Sequence, residues 1–341
     1  MRSRTEVQLL QRLSRGSASV WELVDAQDSS LREFYAALQE LKERGLIEVA
    51  GGKVSLTRAG VERASQLKAK FFDFRCSACD AKGYVIPPEF DDVARIFYKI
   101  TERRPLPVED YDQGYISPED VLKRVAFMYE RGDLVASEIL VIGDDDLLSI
   151  AAALTGLPSR VIAIDIDERL VNFINRVAGE HGLCLEARSY DVQEPLGDEL
   201  ARGFDVFVSD PVETLEGIKL FLSRGAASLR GEGSAVYFGL TTLEASRKKW
   251  YEIQRMLYKM GFVITDIRRK FSVYPCEDTN FFRYQDKLRI VKKLGTRCDY
   301  NWFRSAFYRI EAIKEPEPLI TGKIKLGDKF YHDEECWATP E

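Results

Sequence analysis

From Glu138 onward the chain alternates short, almost wholly apolar runs with amphipathic stretches, and acidic residues stand where the apolar runs end. Ile139-Leu140-Val141-Ile142 leads into Gly143-Asp144-Asp145-Asp146, and Val161-Ile162-Ala163-Ile164 ends at Asp165-Ile166-Asp167. A third run near Cys184 to Arg188 ends at Ser189-Tyr190-Asp191, and Val206-Phe207-Val208 ends at Ser209-Asp210-Pro211-Val212-Glu213. Such runs, separated by helical patterns, predict a parallel sheet covered by helices on both faces. A fifth strand is expected at Ala235 to Phe238. Two more are expected at Phe262 to Ile267 and Ser305 to Ile313, the last two as an antiparallel hairpin at one edge. The expected fold is therefore α/β, a Rossmann-type sheet of seven strands.

Ligands of such sheets sit beyond the carboxyl ends of the strands, where these acidic clusters stand. Gly143 permits a tight turn, and Asp165 follows it at about the twenty-residue spacing of a ribose-binding carboxylate. A pyrophosphate needs glycines and exposed backbone N–H groups at that turn, and Asp144 to Asp146 would repel it. NAD is excluded on this ground, and a nucleoside carrying positive charge, such as a sulfonium nucleoside, is expected. One aspartate before a helix reads as an N-cap, most easily Asp144 or Asp145. Three adjacent carboxylates repel one another unless a cation is present. Asp210 to Glu213 form a second constellation, at the strand end that faces the attacking amine in N-directed transferases.

Residues 1–68 read as a winged-helix module. Val7 to Leu13 form a first helix and Ser19 to Val24 a second. Ser29 or Ser30 caps a third helix whose apolar positions are Leu31, Phe34, Tyr35, Leu38 and Leu41. A hairpin follows, turning at Gly51-Gly52. Arg32, Lys42 and Arg44 on the third helix are balanced by Glu33, Glu40 and Glu43, which argues for a packing or dimerisation module rather than a groove-reading one. Residues 69–134 connect it to the catalytic domain, 135–314. This segment is expected to hold a hairpin over Phe71 to Ile86 and helices over Asp91 to Thr101 and Ser117 to Arg131. Between the helices, a loop with Asp112-Gln113-Gly114 could close over a ligand. Residues 315–341 read as a flexible acidic tail in which Asp333, Glu334 and Glu335 recruit a polycation. Cys76-Ser77-Ala78-Cys79 has zinc-knuckle spacing without a second pair nearby, so no metal is expected.

The net charge of −6 points away from nucleic acid and toward a cationic small substrate. No apolar run approaches the ~20 residues of a membrane span, and no secretion signal opens the chain, so a cytoplasmic, membrane-free protein is expected.

Gly143-Asp144-Asp145-Asp146-Leu147, Asp165-Ile166-Asp167-Glu168-Arg169-Leu170, Asp210-Pro211-Val212-Glu213-Thr214 and Tyr237-Phe238-Gly239 resemble the branched-chain polyamine synthases of thermophiles, the N4-bis(aminopropyl)spermidine synthase family. Arg104-Pro105-Leu106-Pro107, Asp112-Gln113-Gly114 and Tyr331-His332-Asp333-Glu334-Glu335 are similar too. Val212 departs from the family, which commonly shows a proline there. The resemblance implies a methyltransferase-like fold and decarboxylated S-adenosylmethionine as co-substrate, with no prosthetic group. It further implies aminopropyl transfer to the secondary amine of spermidine.

On that reading Asp145 is the expected proton acceptor, with Asp210 and Glu213 as second candidates. Gly143, Asp144, Asp165 and Ile166 are expected to hold the donor, with Asp165 on the ribose, Tyr190 and Asp191 at the adenine edge, and Gln113 closing over it. Asp112, Asp144, Asp145, Asp146, Asp210, Glu213 and Phe238 are expected to hold the acceptor. A homodimer is expected. Two rival readings are an N-methyltransferase acting through Asp210 to Glu213 and a winged-helix regulator that senses an adenosyl ligand.

Overall fold

The computed structural model describes residues 3–73, 75–108, 111–276, 291 and 300–336. The N-terminal unit comprises helices α1 (Arg4–Leu13), α2 (Val20–Asp25), α3 (Leu31–Glu43) and α4 (Arg58–Gln66). With them goes a three-stranded antiparallel sheet of β1 (Ala18–Ser19), β3 (Lys53–Leu56) and β2 (Ile47–Ala50). Ser19 with Glu22 and Ser30 with Glu33 form reciprocal capping boxes that start α2 and α3. Ser30, not Ser29, is therefore the cap of α3. The N-terminus of α3 lies against the catalytic domain: the Leu31 N–H donates to the Leu243 carbonyl at 2.8 Å. The Trp21 and Trp302 rings meet 4.7 Å apart at the same junction.

The expected hairpin over residues 71–86 does not form among the described residues. Instead Cys76 to Gly83 coil into a tight turn, with Asp80 and Ala81 at φ +46° and +61°. The Ala81 N–H reaches the Cys76 carbonyl, and the Gly83 N–H reaches the Cys79 sulfur. Lys82 is drawn inward to a buried ion pair with Asp120, and that pull replaces strand pairing. Helices α5 (Asp91–Thr101) and α6 (Pro118–Glu130) follow, α6 capped by Ser117 with Pro118 in its first turn.

The catalytic sheet contains β4 (Glu138–Ile142), β5 (Arg160–Asp165), β6 (Leu185–Ser189), β7 (Val206–Ser209), β8 (Ala235–Leu240), β9 (Phe262–Val273) and β10 (Arg304–Ala312). Their order is β6-β5-β4-β7-β8-β10-β9, and only β10 runs against its neighbours. This is a methyltransferase-like sheet. As expected, the last two strands pair antiparallel at one edge, and β10 is the one that lies between β8 and β9. The reason is apolar: Ser305 to Ile310 are all buried, whereas β9 over Val263 to Lys270 is half wet. Helices α7 (Leu148–Leu154) and α8 (Glu168–His181) pack on the same side as α5, α6 and the N-terminal unit. Helices α9 (Leu215–Ser228) and α10 (Arg247–Met260) cover the other face.

The tail is docked rather than loose through residue 336. The Ile324 N–H donates to the Gln193 carbonyl, and the Thr214 hydroxyl donates to the Phe330 carbonyl at 2.7 Å. Glu335 accepts from the Ser246 N–H and hydroxyl at the start of α10, and Asp333 pairs with buried Lys249 at 2.7 Å. Glu334 pairs with Arg32 across the surface. Open donors at a helix start and a buried ammonium supply partners that local composition does not reveal. The three acids expected to recruit a polycation are thus engaged within the chain.

Candidate active site

The chain leaves β4 toward β5 on one side and later returns to β7 on the other, so a crevice opens where their carboxyl ends diverge. Two adjoining cavities occupy it. The larger, about 160 Å³, is bounded by Gly143, Asp145, Asp165, Ile166, Tyr190, Asp191 and Gln113, with Phe221, Phe330 and Tyr331 opposite. The smaller, about 70 Å³, is bounded by Asp112, Asp145, Asp210, Glu213 and Glu244, with Tyr274 and Phe303. Asp112, Asp145, Asp210 and Pro211 border both. A roomier cavity of about 400 Å³ lies between α1 and the 70–75 segment, but Arg12, Arg75 and Lys270 there are already paired with Glu22 and Asp25.

The three neighbouring aspartates point three ways. Gly143 at φ +71° and Leu147 at φ +62° twist the turn between β4 and α7 into the left-handed region. Asp144 is 1% exposed and turns inward, accepting from the N–H and hydroxyl of Ser149 in the first turn of α7. Its expected contacts with donor and acceptor are corrected accordingly: it is a helix-start anchor and borders neither cavity. Burial pushes its carboxyl up to about 7, with the Ser149 bonds opposing. Asp146 is also enclosed. It accepts from the Ile116 N–H at 2.7 Å and from Arg124 at 3.2 Å, and it borders neither cavity. Burial drives its carboxyl well upward against the pull of Arg124. Asp145 alone of the three borders the cavities. The Gly114 N–H donates to its Oδ2 at 2.8 Å. Burial and the Asp165 charge push its carboxyl up to about 6.

Asp210, at the end of β7, faces Asp146 across Arg124. Arg124 Nη1 lies 2.7 Å from Asp210 and 3.2 Å from Asp146, its Nε donates to the Ser272 hydroxyl at 2.9 Å, and its guanidinium stands 4.5 Å from the Phe307 ring centre. The Glu213 carboxylate takes the Thr241 N–H between its two oxygens at 2.9 and 3.0 Å, and burial and the Glu244 charge drive it well above the usual range. Asp112 sits at φ +54°, and burial also raises its carboxyl. Carboxylates raised in this way by burial and by one another are lowered again by any cation placed beside them.

At the larger cavity, Asp165 accepts from the Asp144 and Asp167 N–H groups at 3.0 and 2.8 Å, which aims it at the crevice. Ile166 is 44% exposed and offers an apolar floor. The Tyr190 hydroxyl donates to the Glu194 carbonyl, so the ring, not the hydroxyl, faces the cavity. Asp191 holds the N–H and amide of Gln193. The Gln113 amide is bound to the Val108 N–H and to Asp167, so it ties the loop down beside the cavity. Phe238 is a correction: it is 1% exposed and stacks 4.9 Å from Tyr308 in the core beneath α10, because alternation on β8 turns it away from the crevice.

Arg124, Glu244, Phe221, Tyr274, Phe303 and Phe330 were not anticipated from sequence. Arg124 reads locally as one basic residue beside Lys123 on a charged helix, and Phe330 lies in a segment that reads as mobile.

A family model described as the branched-chain polyamine synthase A C-terminal domain matches residues 92–338. The chain belongs to the branched-chain polyamine synthase family. It is 38% identical over 332 residues to the N(4)-bis(aminopropyl)spermidine synthase of Thermococcus kodakarensis, covering 95% of this chain and 92% of that one. It is 38% identical to the Thermus thermophilus enzyme of the same name, covering 89% and 85%. The crystal structure of the branched-chain polyamine synthase from Thermus thermophilus, in complex with N4-aminopropylspermidine and 5'-methylthioadenosine, superposes with a TM-score of 0.85 at 36% identity, covering 97% of this chain and 92% of that one. The cleft of this family member joins a larger, partly apolar cavity to a smaller one lined with carboxylates.

Proposed function

We propose that the chain transfers aminopropyl groups from decarboxylated S-adenosylmethionine to the secondary amine of spermidine. The products are N4-aminopropylspermidine, then N4-bis(aminopropyl)spermidine, with 5'-methylthioadenosine released. The observation that carries this reading is the joining of the two cavities at Asp145, Asp112 and Asp210. The relative from Thermus thermophilus, which binds an aminopropylated polyamine and the thioether product, supports it.

The larger cavity takes the nucleoside. Asp165 receives the ribose hydroxyls, Ile166 and the Tyr190 ring flank the adenine, and Phe221 and Phe330 close the apolar side. The donor lacks a carboxylate, which suits a crevice whose nearest charges are Asp112, Asp145 and Asp210. The smaller cavity takes the polyamine: Glu213, Glu244 and Asp112 meet its ammonium ends, and the Tyr274 and Phe303 rings meet its methylene stretches.

The amine nitrogen attacks the aminopropyl carbon next to sulfur. The N–C bond forms as the C–S bond breaks, and the electron pair leaves on sulfur as a neutral thioether. A spermidine amine has a pKa near ~10, so a carboxylate must take its proton. Asp145 borders both substrates and titrates near the working range, so it is the acceptor in this scheme. In the second transfer a tertiary amine attacks, no proton is lost, and the carboxylates stabilise the quaternary product by charge alone.

The test is incubation with decarboxylated donor and spermidine, with products read by mass spectrometry. Mass gains of one and then two aminopropyl units are expected. Methylated product from S-adenosylmethionine, with none from the decarboxylated donor, would overturn the reading. Among the described residues no helix is long and apolar enough to cross a membrane. We further infer a cytoplasmic homodimer. Tyr251 and Tyr258, 60% and 80% exposed on α10, favour association, and sedimentation equilibrium checks it.

A further inference from the structure

Arg124 reaches the carboxylates behind the crevice from α6, a helix that precedes the whole catalytic sheet in the chain. It is 2% exposed as a side chain, and its neighbours come from four other elements or strand ends: Asp146 after β4, Asp210 after β7, Ser272 on β9 and Phe307 on β10. A buried guanidinium with such partners is costly to desolvate, and only close carboxylates justify its charge. Burial opposes that charge, and Asp210 and Asp146 outweigh it, so Arg124 stays cationic. A guanidinium cannot give up its proton in any working range, and its planar fork fixes partners in direction as well as charge.

The two aspartates that flank the reacting centre therefore differ. Asp210 carries a permanent cation at 2.7 Å on its own carboxylate, whereas Asp145 Oδ2 is held by the neutral Gly114 N–H and the nearby Arg104 guanidinium donates to the Asp145 backbone carbonyl at 3.4 Å. A fixed positive charge makes a carboxylate a poorer proton acceptor and a more durable anion. The remaining Asp210 oxygen is buried against Gly239 without a hydrogen-bond donor.

We propose that Arg124 is a positioning residue that holds the Asp210 carboxylate as a fixed anion against the reacting nitrogen, and so leaves proton acceptance to Asp145. This rests on the aminopropyl-transfer reading. Arg124 itself touches neither substrate. Its action on both transfers runs through Asp210: in the first, the anion orients the amine that Asp145 deprotonates; in the second, it faces the quaternary ammonium as that charge forms.

The experiment compares wild type, Arg124→Lys and Arg124→Met, using spermidine and N4-aminopropylspermidine as separate acceptors. Arg124→Met is expected to raise KM for both acceptors roughly tenfold or more. Arg124→Lys is expected to leave KM raised as well, since it restores charge without the fork. A merely structural arginine would lower the melting temperature and the active fraction and leave KM unmoved, and that result overturns the proposal. If Arg124→Met fails to fold, Arg124→Lys decides alone: wild-type KM for both acceptors overturns it. Wild-type protein assayed alongside separates the two failures, because a wild type that makes no aminopropyl product refutes the activity, not the role of Arg124.

Discussion

Gly239 lies so close over the Asp210 carboxylate that a Cβ there would sit 1.9 Å from Asp210 Oδ1. The carboxylate cannot simply swing aside, because Arg124 holds its other oxygen. The glycine of the Tyr237-Phe238-Gly239 element is thus what lets an acid at the end of β7 lie across the neighbouring strand. Gly239→Ala is expected to cost about 1–3 kcal/mol of stability by overpacking and to lower kcat/KM roughly tenfold or more by displacing Asp210. Thermal melting and steady-state kinetics check this. Full activity in the variant would remove Asp210 from the reacting centre.

Asp145→Asn should slow transfer to spermidine far more than transfer to N4-aminopropylspermidine, because only the first acceptor has a proton to lose. The pH dependence has a definite sign. Burial and then the Asp165 charge raise the Asp145 carboxyl to about 6, so the basic form predominates above that value. The rate of the first transfer should fall as pH drops through about 6, and the second should fall less steeply. Equal losses with the two acceptors would contradict a proton-accepting Asp145.

Asp144 behaves differently because it serves the fold. Burial raises its carboxyl to about 7, with the Ser149 bonds opposing. A folded value above the unfolded one of roughly 3.9 means that its favourable contribution is complete below about pH 4 and is lost as pH rises through about 7. Asp144→Asn keeps an acceptor for Ser149 and has no charge to bury. Its melting temperature should therefore gain on wild type between about pH 4 and about pH 7, the window set by these two values. A constant difference across that range would show that Asp144 does not titrate there.

Truncation after Gly327 removes Phe330, which stacks 6.4 Å from Phe221, and Tyr331, both lining the larger cavity. It also removes Asp333 and Glu335 from the start of α10. The Michaelis constant for the donor should rise by about an order of magnitude, more than that for spermidine. A selective rise for spermidine would instead restore the tail acids as polycation recruiters.

The acid-ended strands could be read because their cause is local. Apolar runs bury on both faces, and residues following them stand at the carboxyl edge of a parallel sheet. Gly143 to Asp146, Asp165, Asp191, Asp210 and Glu213 were legible at strand ends in that way, and Ser117 was legible from local capping chemistry as the cap of α6. The hairpin over 71–86 and the mobile tail were misread for one shared reason. Each was decided by a partner distant in the chain: Asp120 for Lys82, Lys249 and Ser246 for the tail.

By itself the sequence determined where the carboxylates gather, because the alternation of strand and helix dictates which residues reach the strand ends. Only the tertiary structure decided which way each one points. Asp144, Asp145 and Asp146 are chemically identical neighbours, yet Ser149 draws the first inward, Gly114 holds the second at the crevice, and Ile116 and Arg124 take the third. The left-handed turns at Gly143 and Leu147 set those directions. The donors that reward them come from α6, α7 and the loop before α6, elements that meet only when the chain has folded.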